Sequence, residues 1–203
     1  MARKKSTINE LCKILSEAVK EVLEINTGSK IKVAPTLQRI ANIALRPDIG
    51  AFVEFNGDYN GLLCMNFSKE SAYELYKKAM LTLGLTDEEI VKDPLADEVV
   101  NFIGEIVNQI IGNFRSKIEK EYGLVAKNNQ PKAIVISRAI IMYIDTFLQT
   151  AQSRKLSFRT EDGNSFYAEL SLEHVEFIPL EGVGEEESEG TDASVEELLN
   201  KFF

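Results

Sequence analysis

The chain has 203 residues, of which 44% are hydrophobic, and a formal net charge of −9 at pH 7. This length and apolar content are enough for one sizeable core, or for a core followed by a tail. The only basic cluster, Arg3-Lys4-Lys5, lies at a terminus, whereas phosphate backbones and anionic membrane surfaces require a basic face. We therefore expect neither nucleic acid nor a membrane as a partner.

The cysteine, histidine and hydropathy patterns exclude further classes of protein. Cys12 and Cys64 lie on predicted apolar faces, as buried thiols of a reducing compartment do, and the single histidine, His174, has no neighbour suited to a zinc site. The sequence has no long apolar run, no leader pattern and no nucleotide-binding or serine-hydrolase motif. We expect a cytoplasmic protein without a metal of its own.

The first half of the chain predicts two helices that flank a β-hairpin. A helical pattern runs from Thr7 to Gly28, with apolar residues along one face. Residues 49–55 and 59–67 are strand-like and flank Asn56-Gly57-Asp58, a turn signal between paired strands. A second helix is predicted from Ser68 to Gly84, with an ordinary solvated outer face.

The longest helical pattern runs from Pro94 to Tyr122, and Asp93 is its predicted N-cap. At about 100° per residue, one half of this helix is apolar and must be buried. The residues of this half are Val99, Phe102, Ile103, Ile106, Val107, Ile110, Ile111, Phe114 and Ile118.

On the opposite half, Asn101, Glu105, Asn108 and Gly112 converge within roughly 60° of one another. Asp97, Glu98 and Arg115 flank them. Asn and Gly each cost roughly 0.5 to 1 kcal/mol relative to Ala in a helix interior, so an ordinary solvated face seldom carries three of them together. Gly112 also lowers the surface beside Asn108. On spacing alone, residues that are merely tolerated at the surface are the commoner explanation, and a face that another molecule approaches closely is the alternative.

The second half of the chain predicts further strands and then a tail. Residues 133–136 and 139–144 are strand-like, and residues 155–160 and 166–172 flank a second hairpin turn. We divide the chain into a domain over residues 1–180, a flexible acidic linker over 181–193 and an amphipathic helix over 194–203. This last helix either docks on its own domain or folds into a groove of a partner.

The run Ile103-Gly104-Glu105-Ile106-Val107-Asn108, followed by Gly112, resembles the Glu-x-x-Asn signature of the CheC/CheX/FliY phosphatases of bacterial chemotaxis. The order of the predicted elements over residues 7–178 is also similar to CheX. The chain resembles an uncharacterised CheX-like family more than CheX itself. The resemblance implies an α+β fold in which long amphipathic helices pack on one face of a mostly antiparallel β-sheet.

The resemblance also implies an activity and roles for the polar residues. The partner would be a CheY-like response-regulator receiver, which brings its own Mg²⁺, so the phosphatase needs no cofactor of its own. Asn108 would position the water that attacks the aspartyl phosphate, and Glu105 would pair with a lysine of the receiver. Asn101, Glu98 and Gly112 would contact the receiver around this pair.

Two other functions remain open beside the phosphatase activity. The family usually has Asp or Ser four residues before the Glu, whereas this chain has Asn101. A CheX-fold module that binds a receiver or another signalling protein without hydrolysis is therefore the alternative function. A structural subunit of the flagellar switch resembles the FliY context but would need a further domain. CheX-like proteins form homodimers through sheet edges, and the apolar run from Ala139 to Leu148 could supply such an edge.

Overall fold

A computed structural model describes residues 6–142 and 151–178. The described part has an α+β fold, as the sequence predicts. Its helices are α1 (Thr7–Thr27), α2 (Lys69–Thr82) and α3 (Asp97–Tyr122). Its strands are β1 (Lys32–Val33), β2 (Gln38–Ile40), β3 (Ile43–Leu45), β4 (Ile49–Gly57), β5 (Gly61–Phe67), β6 (Ala126–Asn128), β7 (Lys132–Val135), β8 (Ile140–Met142), β9 (Gln152–Arg159) and β10 (Ser165–Leu172). None of the described helices combines the length and hydropathy of a membrane span.

Eight of the ten described strands form one large antiparallel sheet, whose centre consists of the two predicted hairpins. β9 pairs with β10, β10 with β5 and β5 with β4. The short strands β1 and β2 extend the sheet beside β9, and β6 and β7 extend it beside β4. The turn signals at residues 56–58 and 161–164 therefore predicted both hairpins, because such turns allow adjacent strands to pair directly. The first turn itself lies at residues 58–60, since β4 continues to Gly57 and β5 begins at Gly61.

All three helices contact the main sheet on one face. Side chains alternate between the two faces of a strand, so Leu63 and Met65 of β5 point into the core under the helices, whereas Leu62 and Cys64 point to the other face. Within this core, the ring of Phe166 stacks on those of Phe158 and Phe67, with centroid distances of 5.1 and 5.2 Å. The central helix, α3, lies on this face of the sheet.

The second face is partly covered by a two-stranded ribbon of β3 and β8. Two buried polar side chains of the main sheet hold this ribbon. Glu169 accepts a hydrogen bond from the backbone N–H of Ala44 at 2.8 Å, and Asn66 donates to the carbonyl of Ala44 at 2.9 Å. Asn66 also accepts from the backbone N–H of Arg46 at 2.6 Å. These bonds satisfy buried polar groups and so fix the ribbon against the sheet.

The strand expected from Ala139 to Leu148 is described only in part. Its described part, β8, pairs with β3 in the ribbon and not with the main sheet. Residues 143–148 lie outside the described residues. The predicted acidic linker and C-terminal helix, residues 181–203, lie outside them as well.

The start of the central helix also differs from the prediction. The helix begins at Asp97, with Ala96 at the N-cap position, and not at Pro94. Asp93 accepts a hydrogen bond from the backbone N–H of Leu95 at 3.0 Å, and its carbonyl accepts one from Ala96 at 3.2 Å. The aspartate therefore closes a separate turn, since its side chain bonds a backbone two residues ahead.

Candidate functional site

The inner face of α3 is fixed in the core, as the helical periodicity predicts. Eight of the nine predicted inward residues are buried to 1% exposure or less. The ninth, Phe102, is half-buried and packs its ring against Tyr76 of α2, with centroids 5.8 Å apart. The backbone that presents the opposite face is therefore held by close packing.

Polar bonds hold both flanks of α3. On the side of α1, Asn26 donates to Gln109 at 2.9 Å, and Lys117 pairs with Glu21 at 2.8 Å. On the side of β6, Arg115 donates to the carbonyl of Ala126 at 2.6 Å and also to the side chain of Asn128. The guanidinium of Arg115, a residue predicted to flank the Glu/Asn pair, is thus directed toward β6.

Between these flanks lies an exposed line of residues that we name the α3 ridge: Asn101, Glu105, Asn108 and Gly112. The structure places the predicted residues side by side on solvent-exposed turns of one helix. Within residues 6–142 and 151–178, the side chains of Asn101, Glu105 and Asn108 form no hydrogen bond or ion pair. Their hydrogen-bonding capacity is thus available to another molecule.

The remaining predicted contact residues lie at the two ends of the ridge. Glu98 is exposed in the first turn of α3, near Tyr76. Burial, with a smaller contribution from the charge of Glu98, raises the pKa of Tyr76. Gly112 is exposed, and a Cβ atom added there would meet no atom within 4 Å. The surface beside Asn108 is therefore open.

A cleft of about 260 Å³ runs along one side of the ridge. Asn101, Glu105 and Asn108 line it from α3. Gln130 and Pro131, in the turn between β6 and β7, close the other side with Lys132 and Ala133. Only the pairing of β6 and β7 with β4 brings this turn beside α3.

A larger cleft, about 480 Å³, lies between α2 and the turn from β9 to β10 and contains none of the ridge residues. At its floor, the carboxylate of Glu74 accepts hydrogen bonds from Thr160, from Asn164 at 2.8 Å and from the backbone N–H of Asp162 at 3.1 Å. Lys78 donates to the same carboxylate at 3.0 Å. This network holds the turn onto α2, which gives it a structural role.

The thiols and the histidine lie apart from the ridge. Cys12 and Cys64 are buried and unpaired, and burial raises the pKa of each thiol to about 12. His174 is exposed near the end of the described chain. In the two described segments, no group of three or more His, Cys, Asp or Glu side chains is arranged to hold a metal ion.

Solved structures with this arrangement of helices and sheet are CheX-like. CheX from Desulfovibrio desulfuricans matches with a TM-score of 0.63 and 22% identity, over 81% of this chain and 99% of that one. CheX from Vibrio vulnificus matches with a TM-score of 0.65 and 17% identity, over 81% and 99%. CheX from Borrelia burgdorferi, crystallised with CheY, BeF₃ and Mg²⁺, matches with a TM-score of 0.58 and 15% identity, over 80% and 97%. The chain thus has the fold of the CheX/CheC-like superfamily.

Within that fold, the sequence identifies a particular family. The model of the family described as "Protein of unknown function (DUF3334)" matches residues 3–201, and the chain belongs to this family. A further similarity is to the teichoic acids export ATP-binding protein TagH of Levilactobacillus brevis, 29% identical over 101 residues. That match covers 48% of this chain and only 27% of TagH, so the chain spans little more than a quarter of that protein.

Proposed function

We propose that this protein is a phosphatase that accelerates hydrolysis of the aspartyl phosphate of a CheY-like response-regulator receiver. The observation that carries the proposal is the α3 ridge, where Glu105 and Asn108 are exposed and have no side-chain partner in the described part of the chain. The Glu-x-x-Asn spacing supports it. So does the fold, which this chain shares with the Borrelia CheX that was crystallised with CheY.

Asn108 supplies the catalytic contact in this mechanism. Its carboxamide donates and accepts hydrogen bonds at once, so it can hold a water molecule in line with the phosphorus when α3 enters the receiver's phosphorylation site. Positioning the nucleophile is the main task in phosphoryl transfer, because little covalent chemistry is required of the protein. Mg²⁺ belongs to the receiver, and this chain contributes no metal ligand to the step.

Glu105 orients the complex. It lies one turn before Asn108 on the same ridge, so the helix fixes the separation of the two side chains. A carboxylate that meets the active-site lysine of the receiver sets the register of docking. Asn101, Glu98 and Gly112 form the surrounding contact surface, and the exposed position of Gly112 lets the receiver approach the helix closely.

The decay of phosphorylated CheY from the same organism tests the proposal. We expect the purified protein to accelerate this decay, and Asn108→Ala to reduce turnover on the order of 10²-fold while receiver binding is retained, since one positioning group is lost. Gln109→Ala is the matched control. Gln109 is the neighbouring exposed carboxamide, but it points to Asn26 of α1, so its removal leaves turnover within about twofold.

Unchanged decay for every receiver of the organism would contradict the phosphatase. If the protein nevertheless binds a receiver loaded with beryllofluoride, the second candidate holds: a non-catalytic CheX-fold module that docks a receiver. The observation that favours this candidate is Asn101, which occupies a ridge position where the CheC/CheX/FliY phosphatases usually have Asp or Ser. Asn keeps hydrogen-bonding capacity but lacks the charge.

A further inference from the structure

The cleft beside the α3 ridge has a second wall, to which Gln130 and Pro131 belong. They lie in the turn of residues 129–131 between β6 and β7. Pro131 is buried, so this end of the turn is anchored. The side chain of Asn129 accepts a hydrogen bond from the backbone N–H of Glu54 at 3.2 Å, and the backbone N–H of Asn129 donates to the carbonyl of Glu54 at the same distance. The turn is therefore fixed to β4.

The same wall is fixed to α3 by Arg115. This side chain donates to the carbonyl of Ala126 at 2.6 Å and to Asn128, and Asn128 in turn donates to the carbonyl of Asn129 at 2.8 Å. On the other side of the turn, Ala133 packs near Gly104, where an added Cβ would lie 3.6 Å from that of Ala133. The spacing between the turn and the ridge is thus set by a connected set of contacts.

Within the turn of residues 129–131, the side chain of Asn129 is bonded to β4, whereas that of Gln130 is not. Gln130 is exposed, it lines the cleft opposite Glu105 and Asn108, and its carboxamide has no hydrogen-bond partner among the residues that the structure describes. Neighbouring polar groups of the turn are used internally, whereas this group is presented to the cleft by a rigid support. Such an arrangement suits recognition, because little conformational freedom of the backbone is lost on binding.

We propose that Gln130 is a specificity-determining residue that binds the backbone of the docked receiver beside the phosphorylation site. This inference rests on the proposed function, and it adds the turn of residues 129–131 to the α3 ridge as a second contact segment of the same site. A carboxamide matches a peptide group of a loop, since each both donates and accepts a hydrogen bond. The ridge then supplies the chemistry, and the turn contributes to the choice among receivers.

The test compares turnover kinetics of Gln130→Ala, Gln130→Glu and the wild type with phosphorylated CheY from the same organism. We expect both variants to raise the half-saturating receiver concentration about fivefold to tenfold, the loss expected for one hydrogen bond. The turnover number stays within about twofold of the wild type. Gln130→Glu keeps the shape and the acceptor oxygen but replaces the N–H donors with a negative charge, whereas Gln130→Ala removes the donors without adding charge. A comparable loss in both variants therefore assigns the effect to the lost N–H donors.

Gln38→Ala is the matched control, because Gln38 is an exposed glutamine of β2 on the far edge of the sheet beside β9. Thermal unfolding of all three variants is expected to match the wild type. Wild-type half-saturation in both Gln130 variants, or a fall in turnover number alone, overturns the inference and leaves the proposed function standing. A wild-type protein that neither binds nor dephosphorylates any receiver overturns both.

Discussion

At the scale of single residues, a side chain at position 112 is expected to affect the stability of the fold and the binding of a receiver in opposite directions. Since an added Cβ would meet no atom within 4 Å, Gly112→Ala is expected to raise the free energy of unfolding by about 0.5 to 1 kcal/mol, the difference in helix propensity. Urea denaturation measures this change. If the receiver contacts the ridge as proposed, the same variant weakens receiver binding, because the methyl group occupies the space that the glycine leaves open.

Gly61→Ala is the contrasting variant. A Cβ at this buried position of β5 would lie 2.6 Å from the carbonyl oxygen of Ser171, so we expect a loss of stability. A destabilised Gly112→Ala protein would contradict the geometry of the ridge. A stabilised protein that binds receiver as well as the wild type would remove Gly112 from the contact surface.

Helical periodicity alone predicted which residues of α3 are exposed, because the angle per residue is nearly constant. Asn101, Glu105 and Asn108 therefore emerged from the sequence together. The direction of the Arg115 side chain and the position of Gln130 did not emerge from the sequence. The direction of a long side chain on a helix flank depends on the strand packed against it, and the position of Gln130 depends on strand pairing over more than 70 residues of chain.

At the scale of elements, the contact between α2 and the turn from β9 to β10 depends on Glu74. Burial raises the pKa of this carboxyl, but the hydrogen bonds from Thr160, Asn164, Asp162 and Lys78 outweigh it and leave the pKa below its ordinary value of 4.5. A depressed carboxyl pKa stabilises the fold above the unfolded value, and this stabilisation is lost as pH falls through the folded value.

We expect Glu74→Gln to lower the free energy of unfolding by about 1 to 3 kcal/mol at pH 7, because part of a buried hydrogen-bond network is lost. The difference from the wild type shrinks as the pH falls below about 4.5. Chemical denaturation across this pH range measures it. Glu70→Gln on the exposed face of the same helix is the control, and identical pH dependence for the two variants would contradict the assignment.

The elements themselves were predicted where their signals are local. The two hairpins follow from turn residues between apolar strands, and both ends of α1 were found within one residue. The start of α3 was predicted three residues early, since Asp93 and Pro94 fit a helix start as well as a turn. Only the competing bonds from Leu95 and Ala96 distinguish the two structures.

At the scale of the whole molecule, the sheet is covered differently on its two faces. The helices and the proposed site occupy one face, and the ribbon of β3 and β8 lies on the other. The sequence did not predict the ribbon. Both of its strands are short, and their docking depends on two buried polar residues, Glu169 of β10 and Asn66 of β5. No local sequence pattern indicates that these two residues are buried.

The homodimer implied by the sequence resemblance remains a prediction, and the ribbon is its expected interface. Ile140 and Ile141 of β8 are 44% and 55% exposed, and no described strand pairs with the outer edge of β8. An exposed apolar edge of this kind favours pairing with another chain. We expect light scattering to report a dimer for the wild type and a monomer for Ile141→Lys.

Ile25→Lys is the matched control for this experiment. Ile25 is 77% exposed at the end of α1, so the variant also exchanges an exposed isoleucine for a charge but away from the ribbon. A monomeric wild type would contradict the homodimer. A dimer that survives Ile141→Lys would move the interface away from β8.

The packing of α3 also has a thermodynamic consequence for the receiver complex that we propose. The helix backbone is already ordered by its buried face and by bonds on both flanks, so binding costs little backbone entropy. The cost falls on the few unpartnered side chains, at about 0.5 to 1.5 kcal/mol each. No folding step needs to precede docking, which favours rapid association. Preorganisation of this kind raises the affinity for whatever docks on the α3 ridge, because less binding free energy is spent on ordering the backbone.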